Sequence, residues 1–340
     1  MWHVAIILLL FSDLAMAGSW SGAGSIFRDE DLRLRAVNTQ IGESAAFTGK
    51  DTHVSSVFAS VGYVEIENKN DSADNILGDI LKVEALNYDL KLTQNFGLFR
   101  TFSLLAGGSD VKTKLVSEDG GSSSFSYGLE GSQWWAHESL RTTLQVKKNK
   151  AKQDAADFTA TDGVRILLPA EVESLNALFQ VLHIAGKSTI MSYSFSHTQR
   201  DDRPDSFGAA IEWRQHFSSA GGSLHSGYSY YENVGQIRPV TTFGEIEAHT
   251  LNLSWLQKIG DHTVWTTGYR FYWELESPRE ADLEVQQIGS DYIFTKFKIR
   301  LDKTRWTKDV SSIETMLGVY ESNNPSNGWV AGLGFNFLFN

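Results

Sequence analysis

The feature that most constrains this chain is a series of short runs in which apolar and polar residues alternate strictly. In residues 328–340, Trp329, Leu333 and Phe335 share one set of alternating positions, while Gly332 and Gly334 belong to the other. Strict alternation gives a β-strand two unlike faces. A strand with so apolar a face promotes aggregation when it is left exposed to water. Either a second sheet or lipid must therefore cover it.

The connections between the runs decide between these coverings. Six short connections, such as AHES and KIGDH, alternate without exception with seven that are mostly longer and more polar, such as NKNDSADN and QRDDRPD. Transmembrane β-barrels have this arrangement, with tight periplasmic turns at one rim and longer loops outside. The sequence therefore predicts an all-β fold, a closed antiparallel transmembrane β-barrel of about fourteen strands, with 12–16 possible. The runs begin near residues 54, 79, 98, 123, 139, 172, 189, 206, 223, 247, 263, 292, 312 and 328.

The apolar face of such a barrel must meet hydrocarbon. In lipid every backbone N–H and C=O group needs a partner within the protein, so a sheet can span the membrane only if it closes. Trp135 and Trp265 fall near the predicted short-turn rim, and Trp273 and Trp329 fall near the loop rim. Aromatic residues at both strand ends are typical of interfacial girdles.

The N-terminal residues differ from the rest of the chain. Apolar residues 4–11 are followed by Ala15-Met16-Ala17, which resembles a secretory h-region and its cleavage site. We therefore predict a signal peptide at residues 1–17. Residues 18–51 are polar and weakly patterned, so we predict a periplasmic N-terminal segment or an interior plug there, and assign residues 52–340 to the barrel.

Two segments resemble known outer-membrane proteins. The final strand resembles the C-terminal assembly signal of Gram-negative outer-membrane β-barrels, with Phe339 as the terminal aromatic residue and Asn340 following it. This resemblance implies a porin-like barrel in the bacterial outer membrane that the barrel assembly machinery inserts. HSGYSYY and EIEAHTLNLSWLQKIGDHTVWTTGYRFYWE are similar to strands of an outer-membrane barrel family of unknown function, which implies location and fold without chemistry.

The positions that alternate with the apolar ones are expected to line the lumen. In residues 81–92 the alternation changes phase after Ala85, which we interpret as a β-bulge that keeps the charged residues on the inner face. Charged side chains of both signs tune selectivity in pores, but they can also pair and fill a closed lumen. The candidate lumen residues are Lys82, Glu84, Asp89, Lys91, Glu130, Arg141, Lys147, Glu212, Arg214, Arg270, Glu274, Lys296, Lys298 and Arg300.

Other chemistry is poorly supported. A net charge of -11 argues against a nucleic-acid partner, because phosphate binding needs clustered cations. No metal or cofactor site is predicted, since the nine histidines lack ligand spacing. A membrane protease would need acidic and histidine pairs at one rim. Asp201 and His262 belong to the best candidate pairs, but the alternation of connections places them at opposite rims.

We therefore predict a non-enzymatic outer-membrane channel for passive passage of small solutes. Two alternatives remain open. One is a non-conducting barrel for surface assembly, adhesion or polysaccharide export, and the other is an outer-membrane enzyme. The expected partners are outer-membrane lipid and lipopolysaccharide, the assembly machinery and small solutes; the sequence leaves the oligomeric state open.

Overall fold

The computed structural model consists almost entirely of antiparallel strands and the turns between them. No helix within the described part of the chain is long and apolar enough to cross a membrane. The structure describes residues 16–29, 33–48, 54–68, 80–115, 119–136, 138–153, 157–159, 165–167, 171–201, 205–218, 221–234, 245–277, 286–301, 311–323 and 327–339.

Sixteen strands form one closed antiparallel barrel, in which β1 pairs with β18. A separate two-stranded hairpin, β8–β9, belongs to the connection between β7 and β10. The strands are β1 (Met16–Asp29), β2 (Arg33–Thr48), β3 (Val54–Asn68), β4 (Ile80–Phe96), β5 (Arg100–Leu115), β6 (Asp119–Trp135), β7 (Leu140–Gln153), β8 (Asp157–Thr159), β9 (Arg165–Leu167), β10 (Glu171–Ala185), β11 (Thr189–Arg200), β12 (Asp205–Phe217), β13 (Gly222–Val234), β14 (Glu245–Ile259), β15 (Thr263–Ser277), β16 (Gln286–Arg300), β17 (Ser312–Ser322) and β18 (Gly328–Phe339).

The structure confirms the predicted all-β closed barrel. The fourteen predicted strands correspond to β3–β7 and β10–β18, and two further strands bring the wall to sixteen, within the predicted range. Both additional strands come from the N-terminal segment. The predicted signal peptide, except for its last two residues, lies outside the described residues and stays a prediction.

The prediction that residues 18–51 form a periplasmic segment or plug is wrong. They form β1 and β2, which complete the wall between β18 and β3. Their alternation of apolar and polar residues is weak because Gly22 and Gly24 occupy outward positions of β1, where a larger apolar residue would mark the lipid face. The neighbouring strand supplies the missing apolar surface: the Phe335 ring covers Gly22, where an added Cβ would lie 2.8 Å from Cζ.

The two barrel rims separate only partly by connection length: at the rim predicted to carry short turns, the connection after β16 spans residues 301–311, and at the other rim the connection after β5 spans residues 116–118. At the turn rim, Gly97 and Gly260 adopt positive φ angles of 70° and 69° in tight turns, a conformation that glycine accepts without steric cost. Both chain ends of the barrel lie at this rim, since Gly18 is opposite Phe339. The opposite, loop rim carries the connections that follow β1, β3, β5, β7, β11, β13, β15 and β17.

The strand registers set the tilt of the wall. Tracing directly opposed residues once around the barrel returns to β1 displaced by about 18 residues, and for sixteen strands this shear corresponds to a tilt of about 40°. Each residue then rises about 2.5 Å along the barrel axis, so about ten residues cross an apolar band of about 25 Å.

Burial distinguishes the two faces of the wall. The buried residues other than glycine, among them Ser60, Ser103 and Arg300, share one face, as expected where side chains crowd on the concave side of a barrel. Most of the exposed large apolar side chains, including Leu144 and Leu333, share the other face. We therefore assign the first face to the lumen and the second to lipid.

The lipid face changes character along the axis. Near the turn rim, Trp135 and Trp265 donate indole N–H hydrogen bonds to threonine hydroxyls of neighbouring strands at 2.9 and 2.8 Å, which leaves no unsatisfied donor in hydrocarbon. Toward the loop rim the same face becomes charged. This charged belt includes Glu65, Lys82, Glu84, Lys148, Lys150, Lys152, Glu171 and Glu173.

Candidate functional site

The candidate site is the inner face of the barrel. Much of it is lined by small hydroxyl and amide side chains that bond to one another across strands. Gln40 donates to Ser60 at 3.2 Å, and Thr198 donates to Asn176 at 2.7 Å. Such a surface is hydrophilic and occupies little depth, so it leaves room for water.

The structure places twelve of the predicted lumen residues on the inner face. Their positions follow from the strand registers, because directly opposed residues of an antiparallel pair point to the same side of the sheet. They are Asp89, Lys91, Glu130, Arg141, Lys147, Glu212, Arg214, Arg270, Glu274, Lys296, Lys298 and Arg300.

The other two predicted lumen residues, Lys82 and Glu84, lie on the lipid face. The register of β4 is continuous from Lys82 to Phe96, and its one irregularity lies between Ile80 and Lys82. The predicted change of phase after Ala85 is therefore wrong. The lipid face of β4 is apolar in the hydrocarbon and charged in the charged belt. In the sequence this change looks like a change of phase in the alternation. Lys82 pairs with Glu84 at 2.6 Å and with Glu65 at 3.2 Å.

Some of the inner charges neutralise one another. Lys91 pairs with Glu130 at 2.7 Å, and the amide of Gln145 donates to the second oxygen of Glu130 at 3.0 Å. Lys296 lies 3.5 Å from Glu314, which is not among the predicted lumen residues. These pairs hold the side chains against the wall and contribute no net field.

Cationic side chains nevertheless outnumber acidic ones on the inner face. Within the described residues the acidic inner side chains are Asp89, Glu130, Glu212, Glu274 and Glu314. The cationic ones are Lys91, Arg141, Lys147, Arg200, Arg214, Lys258, Arg270, Lys296, Lys298 and Arg300. The lumen wall is thus positive in a protein whose net charge is -11.

A pocket of about 580 Å³ opens on the wall formed by β10–β16. Arg214, Arg270, Glu212 and Asn252 are among its lining residues, and the Nε of Arg270 donates to the Asn252 side-chain oxygen at 2.7 Å. His225 lies directly opposite Arg214. Asn252 and His225 are absent from the predicted lumen residues, which are all charged, although both occupy inward positions of alternating runs.

Two inner aromatic rings lie against the wall over glycines. A Cβ added at Gly268 would lie 2.5 Å from Cζ of Phe294, and one added at Gly318 would lie 2.6 Å from the ring of Tyr292. The missing side chains therefore provide the space that these rings occupy. This packing keeps two large side chains from projecting into the lumen.

The residues considered for enzymatic chemistry do not converge. Asp201 follows β11 at the loop rim, where its carboxylate accepts the backbone N–H of Glu173 at 3.0 Å. His262 lies in the turn between β14 and β15 at the opposite rim, where its Nδ1 lies 3.1 Å from the Arg300 carbonyl oxygen. No group of three potential metal ligands occurs among the residues that the structure describes.

Comparisons with known proteins identify the fold. No family model and no curated protein matches the chain. Among solved structures, CdiB from Acinetobacter baumannii is similar with a TM-score of 0.60 and 9% identity; the match covers 95% of this chain and 60% of that one. A loop L8 deletion mutant of OmpT, an outer membrane protein of Vibrio cholerae, matches with a TM-score of 0.52 and 12% identity over 95% and 99% of the two chains. A bacterial polysaccharide outer membrane secretin matches at 0.50 and 12% identity over 95% and 98%.

At these identities the likeness establishes the fold alone. The chain forms a β-barrel of the outer-membrane type, and the apolar band on its lipid face places it in the bacterial outer membrane.

Proposed function

We propose that this barrel is a channel through which small hydrophilic solutes diffuse passively across the outer membrane. The observation that carries the proposal is a closed wall of sixteen strands with a hydrophilic, mainly small-residue inner face. Sixteen strands spaced about 4.8 Å apart and tilted by about 40° enclose a backbone cylinder about 30 Å across. Barrels of this size leave an aqueous channel, whereas eight-stranded barrels are filled by their own side chains.

The position of β1 and β2 in the wall supports an open interior. A plug formed by the N-terminal segment would have blocked conduction, but the same residues enlarge the circumference instead. The Phe294 and Tyr292 rings lie against the wall, which also favours an open lumen. Passive diffusion requires no catalytic residue and no cofactor.

Planar-bilayer recording tests this proposal directly. Purified, folded protein should produce discrete current steps in KCl, and the size of each step should rise in proportion to the applied voltage. Vesicles containing the protein should admit small uncharged sugars and exclude larger ones, which gives the effective pore width. Folded protein that inserts without any ion current would refute the channel and favour a non-conducting barrel or an enzyme.

We further propose that the charged belt contacts the phosphorylated headgroups of lipopolysaccharide. The side chains of Lys150 and Lys152 are 54% and 73% exposed although Glu173 and Glu171 pair with them. Exposed ion pairs of this kind contribute little stability, so these lysines can exchange partners for phosphate at low cost.

A further inference from the structure

We infer that the pocket on β10–β16 is a binding site for small dicarboxylates in the lumen, with Arg214 and Arg270 each holding one carboxylate. This inference rests on the proposed channel only for the solute's route. The binding site itself is defined by the wall.

The registers place the two arginines on the two sides of the pocket. Arg214 is opposite His225, which is opposite Ser254, which is opposite Gly268, and Gly268 lies two residues before Arg270 on β15. Three strand spacings and two residue rises separate the two Cα atoms by about 16 Å along the wall. The curvature of the barrel shortens this separation, and two inward arginine side chains cover most of the remainder. A short molecule with an anionic group at each end fits between them.

The lining between the arginines is small or polar except for the Phe294 ring, which lies over Gly268. At Gly227 the missing side chain leaves space that a Cβ would just fill, since its nearest neighbours would lie at an ordinary contact distance of 3.6 Å. His225 and Ser254 provide hydrogen-bonding groups on the same face. The pocket therefore offers room for a short carbon chain and polar partners beside it.

Arg270 is held in a defined orientation. Its Nε donates to Asn252 at 2.7 Å, and this contact leaves the pair of N–H groups at the end of the guanidinium available for a carboxylate. A planar guanidinium can donate two parallel hydrogen bonds to one carboxylate, which an ammonium cannot do. This geometry favours a carboxylate over a simple halide.

The local charge agrees with an anionic ligand. Glu212 is the one acidic side chain among the described lining residues of the pocket, and it faces two permanently charged arginines. Arg214, Arg270 and Glu212 are all exposed to the lumen. The described lining of the pocket thus carries a net positive charge.

Calorimetric titration of the folded, detergent-solubilised protein with succinate tests the inference. We expect saturable binding, and we expect the double variant Arg214→Gln/Arg270→Gln to bind at least tenfold more weakly. Arg214→Lys/Arg270→Lys should also bind at least tenfold more weakly, because lysine keeps the charge but loses the bidentate contact. Glu212→Gln should bind more tightly, since it removes a repulsive charge.

Three comparisons make the result decisive. Lys82→Gln lies on the lipid face and should leave succinate affinity unchanged. Succinamide, which has the same length without charge, should not compete, and inorganic phosphate should bind more weakly because it cannot reach both arginines. Equal affinity of the wild type and the glutamine double variant, or equal affinity for phosphate and succinate, would overturn the site. Succinate binding without ion current would overturn the channel and leave the site standing.

Discussion

A cation placed on the lipid face at the middle of β7 should destabilise the barrel strongly, whereas the same cation one residue away should not. Leu144 lies four residues beyond Leu140, the first residue of β7 at the turn rim. With strands tilted by about 40°, four residues rise about 10 Å, close to the middle of an apolar band of about 25 Å. Leu144 is 55% exposed, so its substitution removes little packing within the protein.

The expected cost of Leu144→Arg is therefore dominated by moving a charge into hydrocarbon, about 2–4 kcal/mol at the midplane of a barrel. Gln145→Arg points into the lumen, where the arginine can pair with Glu130 in place of the amide, so it should change the free energy of unfolding by less than about 0.5 kcal/mol. Leu140→Arg, at the rim, should cost about 0–1 kcal/mol because the arginine reaches the headgroups.

Equilibrium unfolding in guanidinium from phosphatidylcholine vesicles measures all three variants. The ten tryptophans of the chain provide the fluorescence signal. Leu144→Arg must be the most destabilising of the three if lipid covers the apolar face. Equal destabilisation by Leu144→Arg and Gln145→Arg would show that our assignment of the two faces is wrong.

Two further predictions concern the seam between β1 and β18 and the lumen. Ser21→Cys combined with Asn336→Cys should form a disulfide on oxidation, because these residues are directly opposed where β1 meets β18. The disulfide would be visible as a mobility shift that reductant reverses, and the pair Ser21→Cys and Ser192→Cys, on strands that do not pair, should not crosslink. Failure of the first pair under the same conditions would contradict the closed seam. Gly268→Val should lower single-channel conductance, because a Cβ at this position displaces the Phe294 ring toward the lumen; an unchanged conductance in the folded variant would contradict this packing.

The sequence predicts the strands well where each apolar residue on the lipid face is followed by a polar residue on the inner face. On β7, Leu140, Leu144 and Val146 alternate with Arg141 and Gln145, and this pattern alone defines the strand and its orientation. The same reasoning locates most of the charged inner residues, since a charge flanked by outward apolar residues points inward.

The alternation of apolar and polar residues does not predict strands or side-chain orientation correctly where the lipid face is not apolar. On β1 the outward Gly22 relies on Phe335, a residue more than three hundred positions later, for its apolar cover, and no local pattern can show this. On β4 the lipid face carries Lys82 and Glu84 because the strand extends beyond the hydrocarbon. Prediction from apolar and polar patterns assumes that each face of a strand contacts one environment. The lipid face of a strand that extends from hydrocarbon into the headgroup region contacts two environments.

The distribution of inner charges makes the lumen electrically one-sided. The inner face of β1–β3 has no charged side chain among the described residues, and on β4–β6 Lys91 pairs with Glu130 while Asp89 adds one negative charge. The net positive charge therefore comes from β7–β16, where nine of the described inner side chains are cationic and two are acidic. Removing the pair with Lys91→Gln/Glu130→Gln leaves the net charge of the lumen unchanged, so it should shift the reversal potential in a KCl gradient far less than Arg214→Gln/Arg270→Gln. Anion preference in this barrel is then a property of the arc from β7 to β16, and the described inner face of β1–β3 acts as an uncharged, hydrated surface.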